Sequence, residues 1–438
     1  MIKFKTITLG CKVNQYDSEA LAAQLERAGL IAAGPGDKLD LCIVNTCTVT
    51  GRAAMQSRQA IRQAVRTHPG AQVIVTGCYA QTAATEISGI DGVDAILGVR
   101  DKPHLIDLVI DRYRLSPDRR KGAAAPGVDP IFRPAPGNRS RPFLKVQDGC
   151  EAFCTYCIVP YARGPSRSLT PDKAIAAIGR LKQAGYHEVV LTGIHLGCYG
   201  KDLDPSTDLL ALLEQIRQTG AIGRVRLSSI EPREFSDALL DFMADDTDAP
   251  GRICPHFHIP LQSGDDAILQ KMHRPYTSRY FAKLVRNIVR LMPEAAVGVD
   301  ILVGFPGETE AAFAHTRRLI DDLPVAYLHV FPFSPRQGTP AYHFPQKVSA
   351  AEIKARCEVM REIGKKKKSE FYRRFVGKQL EIIAEHRQHL PEGYGVGTSA
   401  NYIPVLVKKA DHQKRRSAPF TVVVEKVAND LKVFGKPV

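Results

Sequence analysis

Three cysteines stand within ten residues in the segment DGCEAFCTYC, residues 148–157. Cys150, Cys154 and Cys157 have the spacing C-x3-C-x2-C, and no fourth cysteine follows at a matching interval. A structural zinc site takes four ligands, and clusters that only transfer electrons are usually held by four cysteines. Three thiolates around four irons leave one iron with an open position, which is typical of a catalytic site. The spacing therefore favours a catalytic iron–sulfur cluster over a zinc knuckle.

A second group of cysteines is spread along the first part of the chain. Cys11, Cys47 and Cys78 each end an apolar, β-branched run that predicts a strand. Because the carboxyl ends of parallel strands meet at one edge of a sheet, we expect these three side chains to converge there. The alternative is three unrelated buried cysteines, since cysteine is among the most buried residue types. The repeated placement favours a soft metal or cluster, again with three ligands.

The composition is that of an ordinary globular protein. The 438 residues suggest two or three domains, and 44% of them are hydrophobic. The first ten residues indicate a strand and no run of about 18 apolar residues follows, so we expect neither a signal peptide nor a membrane span, and a cytoplasmic location. Ten cysteines then indicate metal binding rather than disulfides. Four of them lack ligand-like spacing and are predicted to be buried or half-buried: Cys42, Cys198, Cys254 and Cys357.

The charge is strongly basic and unevenly distributed. The formal net charge is +14, and residues 361–438 contain 17 basic against 8 acidic residues. Lysines occupy all of 365–368, and Lys-Arg-Arg occupies 414–416. Solubility alone accounts for some basic excess, but phosphate contacts supply much of the affinity for nucleic acid. The distribution favours a polyanionic partner.

The chain divides into segments by pattern. Residues 1–112 alternate strands with helices, which indicates βαβ units and a parallel sheet, with Asp17 as the predicted N-cap of the first helix. Residues 113–142 are rich in Pro, Gly and Arg and predict a linker. Residues 143–334 contain six strand candidates with helices between them, typical of a barrel whose reactive groups follow the strands. One basic helix (351–375) precedes short strands that predict a small all-β barrel.

Six segments, in order along the chain, resemble the methylthiotransferases among the radical S-adenosylmethionine enzymes: GCKVNQYDSE, NTCTVT, TGCYAQ, KVQDGCEAFCTYCIVPYARGPSRS, HIPLQSGDDAILQKMHRPY and DILVGFPGETE. The resemblance covers nearly the whole chain. It implies an α/β fold with the following parts: an N-terminal parallel-sheet domain for an auxiliary cluster (1–112), a linker (113–142), a (β/α)6 partial barrel of the radical type (143–350), a connecting basic helix (351–375) and a TRAM barrel (376–438).

The resemblance also implies two [4Fe–4S] clusters and S-adenosylmethionine as cofactors. Cys150, Cys154 and Cys157 would carry the cluster that binds S-adenosylmethionine, and its reductive cleavage would yield a 5′-deoxyadenosyl radical. Cys11, Cys47 and Cys78 would carry an auxiliary cluster that delivers methylated sulfur. The cofactors supply the difficult chemistry, and the protein positions the reactive atoms and excludes water.

Other residues are expected near the cofactor. Gly304 and Gly307 resemble the motif that lets backbone approach the adenine, although a turn can need glycine for itself. Gly193 stands where many radical enzymes have a glycine-rich motif that ends in glutamate, and this chain has no glutamate there. The other candidate pocket residues are Ser229 and Glu231, which could equally be an ordinary polar strand end, and Arg167, Gln262 and His258.

The first and fourth segments most resemble the branch that acts on N6-threonylcarbamoyladenosine in tRNA. Glu151 and Ala152 depart from that branch, which usually has an asparagine pair there. The implied reaction is 2-methylthio addition at C2 of that nucleoside, with tRNA and a flavodoxin- or ferredoxin-like electron donor as partners. The alternatives are isopentenyladenosine in tRNA, an aspartate of a ribosomal protein, or a non-catalytic iron–sulfur protein that binds RNA. The basic C-terminal part favours RNA over a protein substrate.

Overall fold

The computed structural model describes residues 1–115, 139–245, 250–387, 389–414 and 418–438. Most of the predicted linker and two residues of the Lys-Arg-Arg run lie outside the described residues. None of the helices in the described ranges has the length and apolar character that a bilayer crossing would need.

The N-terminal part is a five-stranded sheet flanked by helices, and every strand pair in it is parallel. The strand order is β2-β1-β3-β4-β5. The central strand β3 is buried along its whole length, which explains its continuous apolar run. The predicted parallel sheet is confirmed. Its elements are β1 (Lys3–Thr8), α1 (Lys12–Arg27), β2 (Ile31–Ala32), β3 (Leu41–Thr46), α2 (Gly51–Thr67), β4 (Gln72–Gly77), α3 (Cys78–Thr82), α4 (Ala84–Ser88), β5 (Ala95–Leu97) and α5 (Leu105–Arg112).

The predicted start of the first helix is wrong. Helix α1 begins at Lys12 with Cys11 as its N-cap, so Asp17 lies inside the helix and is buried. Its carboxylate binds two lysines, Lys102 and Lys145, at 2.9 and 2.6 Å. An acidic residue before an apolar helical pattern is typical of a cap, but here ion pairs from distant parts of the chain determine its position.

The central part is the predicted partial barrel. Strands β11-β10-β9-β6 and β12-β13-β14 form two parallel sheets, and a bridge between Ser229 and His258 joins them. Successive residues of these strands point to opposite faces, so Val189 and Leu191 share one face of β9 and Glu188 and Val190 share the other. The elements are β6 (Phe143–Lys145), β7 (Gln147–Asp148), α6 (Val159–Arg163), β8 (Arg167–Ser168), α7 (Pro171–Gln183), β9 (Glu188–Thr192), α8 (Leu209–Thr219), β10 (Arg224–Leu227), α9 (Asp237–Ala244), β11 (Arg252–Ile253), β12 (His256–Gln262), α10 (Asp266–Lys271), α11 (Ser278–Leu291), β13 (Ala296–Val303), α12 (Glu310–Asp322), β14 (Tyr327–Pro332) and α13 (Ala350–Arg373).

The C-terminal part is a closed five-stranded barrel in the order β15-β16-β17-β19-β18, consistent with a TRAM domain. Sequence reasoning did not predict β16, because its run YGVGTS is rich in glycine. Gly397 is needed there, since a Cβ atom would lie 2.6 Å from Ile382 Cδ1 on the neighbouring strand. The elements are β15 (Gln379–Glu385), β16 (Tyr394–Ser399), β17 (Pro404–Lys408), α14 (Lys409–Lys414), β18 (Phe420–Val427) and β19 (Val433–Pro437).

Both outer parts pack on the open partial barrel. The N-terminal domain contacts β6 through the Asp17–Lys145 pair and the loop after β14 through a bond from Gly51 N to Ser334 Oγ. The C-terminal barrel packs at the beginning of β10, where Arg226 donates to the carbonyl oxygens of Ser399 and Ala400. The concave face of the barrel is therefore covered from two sides.

A buried carboxylate organises the contact with the C-terminal barrel. Glu188 is fully buried and binds Arg224 Nε at 2.8 Å and Arg226 Nε at 2.7 Å. Burial alone would raise its pKa, but Arg226, Arg224 and Arg141 outweigh that effect and lower the pKa to about 2 from an ordinary value of 4.5. The carboxylate therefore stays charged and holds both guanidinium groups against the C-terminal barrel.

We expect Glu188→Gln to lower the free energy of unfolding by about 3–5 kcal/mol, because two buried guanidinium groups lose their counter-charge. Glu381→Gln is the matched control. Glu381 also binds Arg224, but its side chain is 38% exposed, so a loss of about 1 kcal/mol or less is expected. Urea unfolding at pH 7 measures both. Since the native pKa is depressed, the advantage of wild type over Glu188→Gln should shrink as the pH falls from about 4.5 towards 2. Equal losses in the two variants would contradict the assignment.

Candidate functional site

The first cysteine group meets at the carboxyl edge of the N-terminal sheet. Cys47 and Cys78 directly follow β3 and β4, and Cys11 lies three residues after the end of β1. Gly10 has a φ of +97°, and a Cβ atom on it would lie 2.8 Å from Cys47 Sγ, so the chain approaches the sulfur as closely as glycine permits. The pKa of Cys47 is raised to about 11, mainly by burial and in smaller part by the neighbouring Cys78 and Cys11. The structure thus brings the three thiols together, with only Cys11 exposed.

The second group lies on the loop that follows β6 and β7. Cys150 N donates to Gly164 O at 3.0 Å, and Ala152 N donates to Cys150 Sγ at 3.5 Å. Burial raises the pKa of Cys157 to about 12, and the charges of Cys154 and Cys150 also raise it. These three thiols also lie close together, at the end of the first barrel strand.

Arg274 Nη1 donates to Cys154 Sγ at 3.2 Å, and this guanidinium group also pairs with Glu231. It is buried, and its Nε donates to Tyr276 Oη at 2.9 Å. A positive charge aimed at a sulfur stabilises a thiolate, which is the form that binds iron. Arg274 therefore connects the second cysteine group to the polar end of β10.

Helix α6 separates the two cysteine groups. Its residue Ala162 packs against Cys78, and its last residue, Arg163, is fully buried. Arg163 donates to both oxygens of Asp148 at 2.8 and 2.9 Å and to Asn14 Oδ1 at 2.6 Å. Burial raises the pKa of Cys78, and Arg163 partly opposes that rise. Only one turn of helix lies between the two groups.

A buried ion-pair network surrounds Arg163. Lys145 Nζ lies 2.6 Å from Asp17 and 3.0 Å from Asp148, and Lys102 reaches Asp17 at 2.9 Å. Burial alone would raise the pKa of both carboxyl groups, but the surrounding cations outweigh it and hold each pKa well below its ordinary value. The network therefore joins α1 of the N-terminal domain to the first strands of the barrel with every member charged.

A cavity of about 340 Å³ opens beside Cys150. His195 Nδ1 lies 3.6 Å from the sulfurs of both Cys150 and Cys198, and its Nε2 lies 2.5 Å from Glu234. The cavity wall also includes Lys201, and none of the pocket residues predicted from the sequence line it. Glu234, which comes from the loop after β10, brings a carboxylate close to the 193–198 loop, where the sequence has no glutamate.

Three of the predicted pocket residues follow strands of the concave face. Ser229 is exposed beside His258, and Glu231 pairs with Arg274. Gln262 has a φ of +68° where the register of β12 shifts, an unusual backbone for a residue with a side chain and one that is concentrated at functional sites. His258 Nε2 donates to the carboxylate of Asp300 at 2.6 Å. These residues face the concave side, and their roles stay predictions.

The predicted glycines have structural reasons of their own. Gly304 and Gly307 have φ values of +81° and +86°. A Cβ on Gly304 would lie 2.3 Å from Ile353 Cγ1 of α13, so the turn needs glycine with or without a ligand. A Cβ on Gly193 would lie 2.9 Å from Gln147 Oε1. Arg167 is exposed on β8 and donates to Arg163 O at 3.2 Å, which places it between the cysteine groups.

Sequence reasoning missed most of the polar residues around the cysteines. Six of the eight lie within segments that carry the family resemblance, but nothing in their spacing indicates a contact near the cysteines. The missed residues are Lys12, Asp17, Lys145, Asp148, Arg163, His195, Glu234 and Arg274. Most of their partners are far away in the sequence, as for Asp17 with Lys145 and Arg163 with Asn14, so only the fold reveals them.

The donor sets fit iron–sulfur clusters. None of the ten cysteines forms a disulfide, so each group offers three free thiols as ligands. Each group also has a buried arginine beside one sulfur, as the thiolates of a negatively charged cluster require.

Two family models match the chain. The model described as "Uncharacterized protein family UPF0004" matches residues 3–98, and the model described as "Radical SAM superfamily" matches residues 144–320. A solved structure of the radical S-adenosylmethionine methyltransferase TsrM from Kitasatospora setae has a TM-score of 0.56 at 16% identity, covering 78% of this chain and 76% of that one. This similarity confirms the radical-type fold of the barrel.

Curated relatives align along almost the whole chain. The "Threonylcarbamoyladenosine tRNA methylthiotransferase MtaB" of Bacillus subtilis is 37% identical over 92% of this chain and 89% of its own length. The "tRNA-2-methylthio-N(6)-dimethylallyladenosine synthase" of Pelotomaculum thermopropionicum is 32% identical over 98% of this chain and 97% of its own length.

Proposed function

The chain belongs to the methylthiotransferase family of radical S-adenosylmethionine enzymes, and on that basis we propose that it adds a 2-methylthio group to C2 of N6-threonylcarbamoyladenosine next to the anticodon of tRNA. The observation that carries the proposal is the position of the two three-thiol groups, on either side of α6. A reaction that joins a carbon radical to a sulfur donor needs the two reactive centres close together.

The family implies a [4Fe–4S] cluster and S-adenosylmethionine. We assign that cluster to Cys150, Cys154 and Cys157, and a second, auxiliary cluster to Cys11, Cys47 and Cys78. When bound, the first cluster supplies reductive cleavage of S-adenosylmethionine and the auxiliary cluster supplies sulfur. Bound iron would deprotonate these thiols, and the buried Arg163 and Arg274 would partly offset the negative charge beside Cys78 and Cys154. Arg163, held by Asp148 and Asn14, fixes the end of α6 beside the first cysteine group.

Two features favour threonylcarbamoyladenosine as the substrate. The MtaB relative is more similar to this chain than the dimethylallyladenosine synthase is, at 37% against 32% identity. The basic excess of the C-terminal part favours RNA over a ribosomal protein. A tRNA substrate would place the enzyme in the cytoplasm, and a flavodoxin- or ferredoxin-like protein would supply the electron.

Exposed aromatic rings lie beside the second cysteine group. Phe153 and Tyr161 pack edge to face with ring centroids 5.6 Å apart, and their side chains remain 47% and 42% exposed. Phe153 has a φ of +43°, so the loop presents this ring at the expense of backbone strain. Exposed rings of this kind are suited to stacking against unpaired bases, as in an anticodon loop.

The nucleoside composition of tRNA tests the proposal. In cells that lack the gene, 2-methylthio-threonylcarbamoyladenosine should disappear and the unthiolated parent should accumulate, as mass spectrometry of digested tRNA would show. Complementation with the intact gene should restore the product. If the 2-methylthio derivative of isopentenyladenosine disappears instead, isopentenyladenosine is the substrate. An unchanged tRNA profile with a modified ribosomal protein would contradict RNA as the substrate.

The two clusters are separable by substitution. We expect Cys150→Ala and Cys47→Ala each to remove about half of the iron, because each group holds one of two equal clusters. Cys150→Ala should also abolish cleavage of S-adenosylmethionine, since the cofactor loses its iron. Cys42→Ala is the matched control. Cys42 is buried in β3, the strand that ends just before Cys47, and it is not one of the proposed cluster ligands. Iron analysis of anaerobically reconstituted protein measures all three. Full iron in Cys47→Ala would contradict the auxiliary site.

The lysine run of α13 has two faces. Lys367 donates to the carbonyl oxygens of Asp321 and Leu323, and Lys368 packs over the ring of Tyr372. Lys365 and Lys366 are exposed and make only surface ion pairs with glutamates of the same helix. A substitution of all four lysines would therefore mix RNA binding with folding, and the two exposed residues give the cleaner test.

We expect Lys365→Gln combined with Lys366→Gln to weaken tRNA binding and to flatten the slope of log K against log salt by about 1.4–1.8, as the loss of two phosphate contacts predicts. Lys173→Gln combined with Lys283→Gln, on the outer helices α7 and α11, is the control of equal charge. Filter binding at salt concentrations from 50 to 200 mM, a range of about fourfold, measures the slope. An unaltered slope would mean that the run is only a solvated helix face.

A further inference from the structure

A second cavity, of about 240 Å³, lies on the concave face of the barrel and is strongly basic. We call it the basic cavity. Its wall includes Lys12, Arg141, Phe143, Val190, Arg226 and Tyr402. The volume corresponds to about eight water molecules, which suits a small substituent rather than a whole nucleotide.

The basic cavity lies where the first strands of the partial barrel meet the C-terminal barrel. Phe143, Val190 and Arg226 are direct neighbours across β6, β9 and β10 and therefore share one face of the sheet. Tyr402 of the C-terminal barrel closes the far side, with its ring stacked on His256 of β12 at 4.3 Å. The cavity is thus bounded by the first three strands of the barrel on one side and by Tyr402 on the other.

Lys12 is the cation of this wall that lacks a counter-charge. Arg226 is bound by Glu188 and Arg141 by Glu385, and both guanidinium groups also lie over the ring of Tyr402. Within the described ranges no carboxylate lies within 4 Å of Lys12 Nζ, although the side chain is partly buried next to these two arginines. The one carboxylate in the wall, Glu385, is already bound by Arg141 and Arg387. A cavity lined by several cations, one of them without a counter-charge, favours an anionic ligand.

Lys12 also lies next to the proposed sulfur donor, because it directly follows Cys11. In adenine, C2 and the carbon that bears N6 both adjoin N1, so a substituent on N6 lies close to the atom that receives sulfur. The threonylcarbamoyl group ends in a carboxylate, and the alkyl group of the isopentenyl substrate has no charge. The cavity matches the charged substituent: its cations suit the carboxylate, and Phe143, Val190 and Tyr402 suit the methyl group.

We propose that the basic cavity binds the carboxylate of the N6-threonylcarbamoyl group and that Lys12 is the residue that recognises it. This inference rests on the proposed function, since it assigns the part of that substrate that the cavity holds. An uncharged substituent would leave the partly buried Lys12 without an anion, so the cavity selects against it. The same chemistry would also suit a phosphate of the RNA backbone, and the experiment separates the two sources.

The test measures binding of anticodon stem–loops to the reconstituted full-length enzyme by fluorescence anisotropy. The three RNAs carry threonylcarbamoyladenosine, its methyl ester or unmodified adenosine. Wild type should bind the acid at least about tenfold more tightly than the ester. Lys12→Met should remove that preference by weakening binding of the acid alone, and Lys12→Arg should keep most of it. Lys38→Met, an exposed lysine of the same domain, is the control and should bind as wild type does.

Two results would overturn the inference. If wild type binds the ester as tightly as the acid, the cavity does not recognise the carboxylate. If Lys12→Met weakens all three RNAs equally, Lys12 contacts a backbone phosphate. Iron analysis of each variant shows whether the neighbouring cluster is intact. The ratio of the affinities of wild type for the acid and for the ester tests the cavity without any substitution. The proposed function is judged separately, by the nucleosides of the deletion strain.

Discussion

The arrangement of the site depends on one interaction, the pairing of the buried Arg163 with Asp148 and Asn14. Asn14 belongs to the N-terminal domain and Asp148 to the barrel, so the guanidinium group bridges the two. Lys145 and Lys102 complete the network around Asp17, and every charge in it has a partner of opposite sign. Such a network tolerates little displacement, because moving one domain would leave several buried charges unpaired. The spacing of the two cysteine groups follows from that rigidity.

The sequence was sufficient for the architecture and for the six cysteines as candidate ligands. Parallel strands that end in cysteine predict convergence from topology alone, and the C-x3-C-x2-C spacing is local. Sequence reasoning failed where partners are distant. Arg163 and Asn14 are 149 residues apart, and Asp17 and Lys145 are 128 apart, so neither pair leaves a local pattern. Asp17 was misread as a helix cap for that reason, and β16 was missed because packing against Ile382 requires glycine where strands usually have branched residues.

The lysine run shows how a charge pattern can combine two roles. From the sequence, residues 365–368 form one basic patch. In the fold, helical periodicity turns Lys367 towards the carbonyl oxygens that end α12 and Lys368 towards Tyr372, and it leaves Lys365 and Lys366 in solvent. A count of basic residues therefore overestimates the surface available to RNA, and the burial of each residue decides its contribution.

Inside the barrel, positive and negative charges are almost balanced. Glu188 neutralises Arg226, and Asp300 lies 2.6 Å from His258 and 3.2 Å from His329. A balanced interior contributes little to long-range attraction, so the net charge of +14 acts from the surface, where it can reach the phosphates of a large polyanion. Attraction and selection are then separate tasks: the surface gathers RNA irrespective of sequence, and the few unbalanced groups inside decide which nucleoside is accepted. Lys12 is such a group, and it lies where the N-terminal domain closes the open side of the barrel, so discrimination depends on the same domain contact that Arg163 maintains.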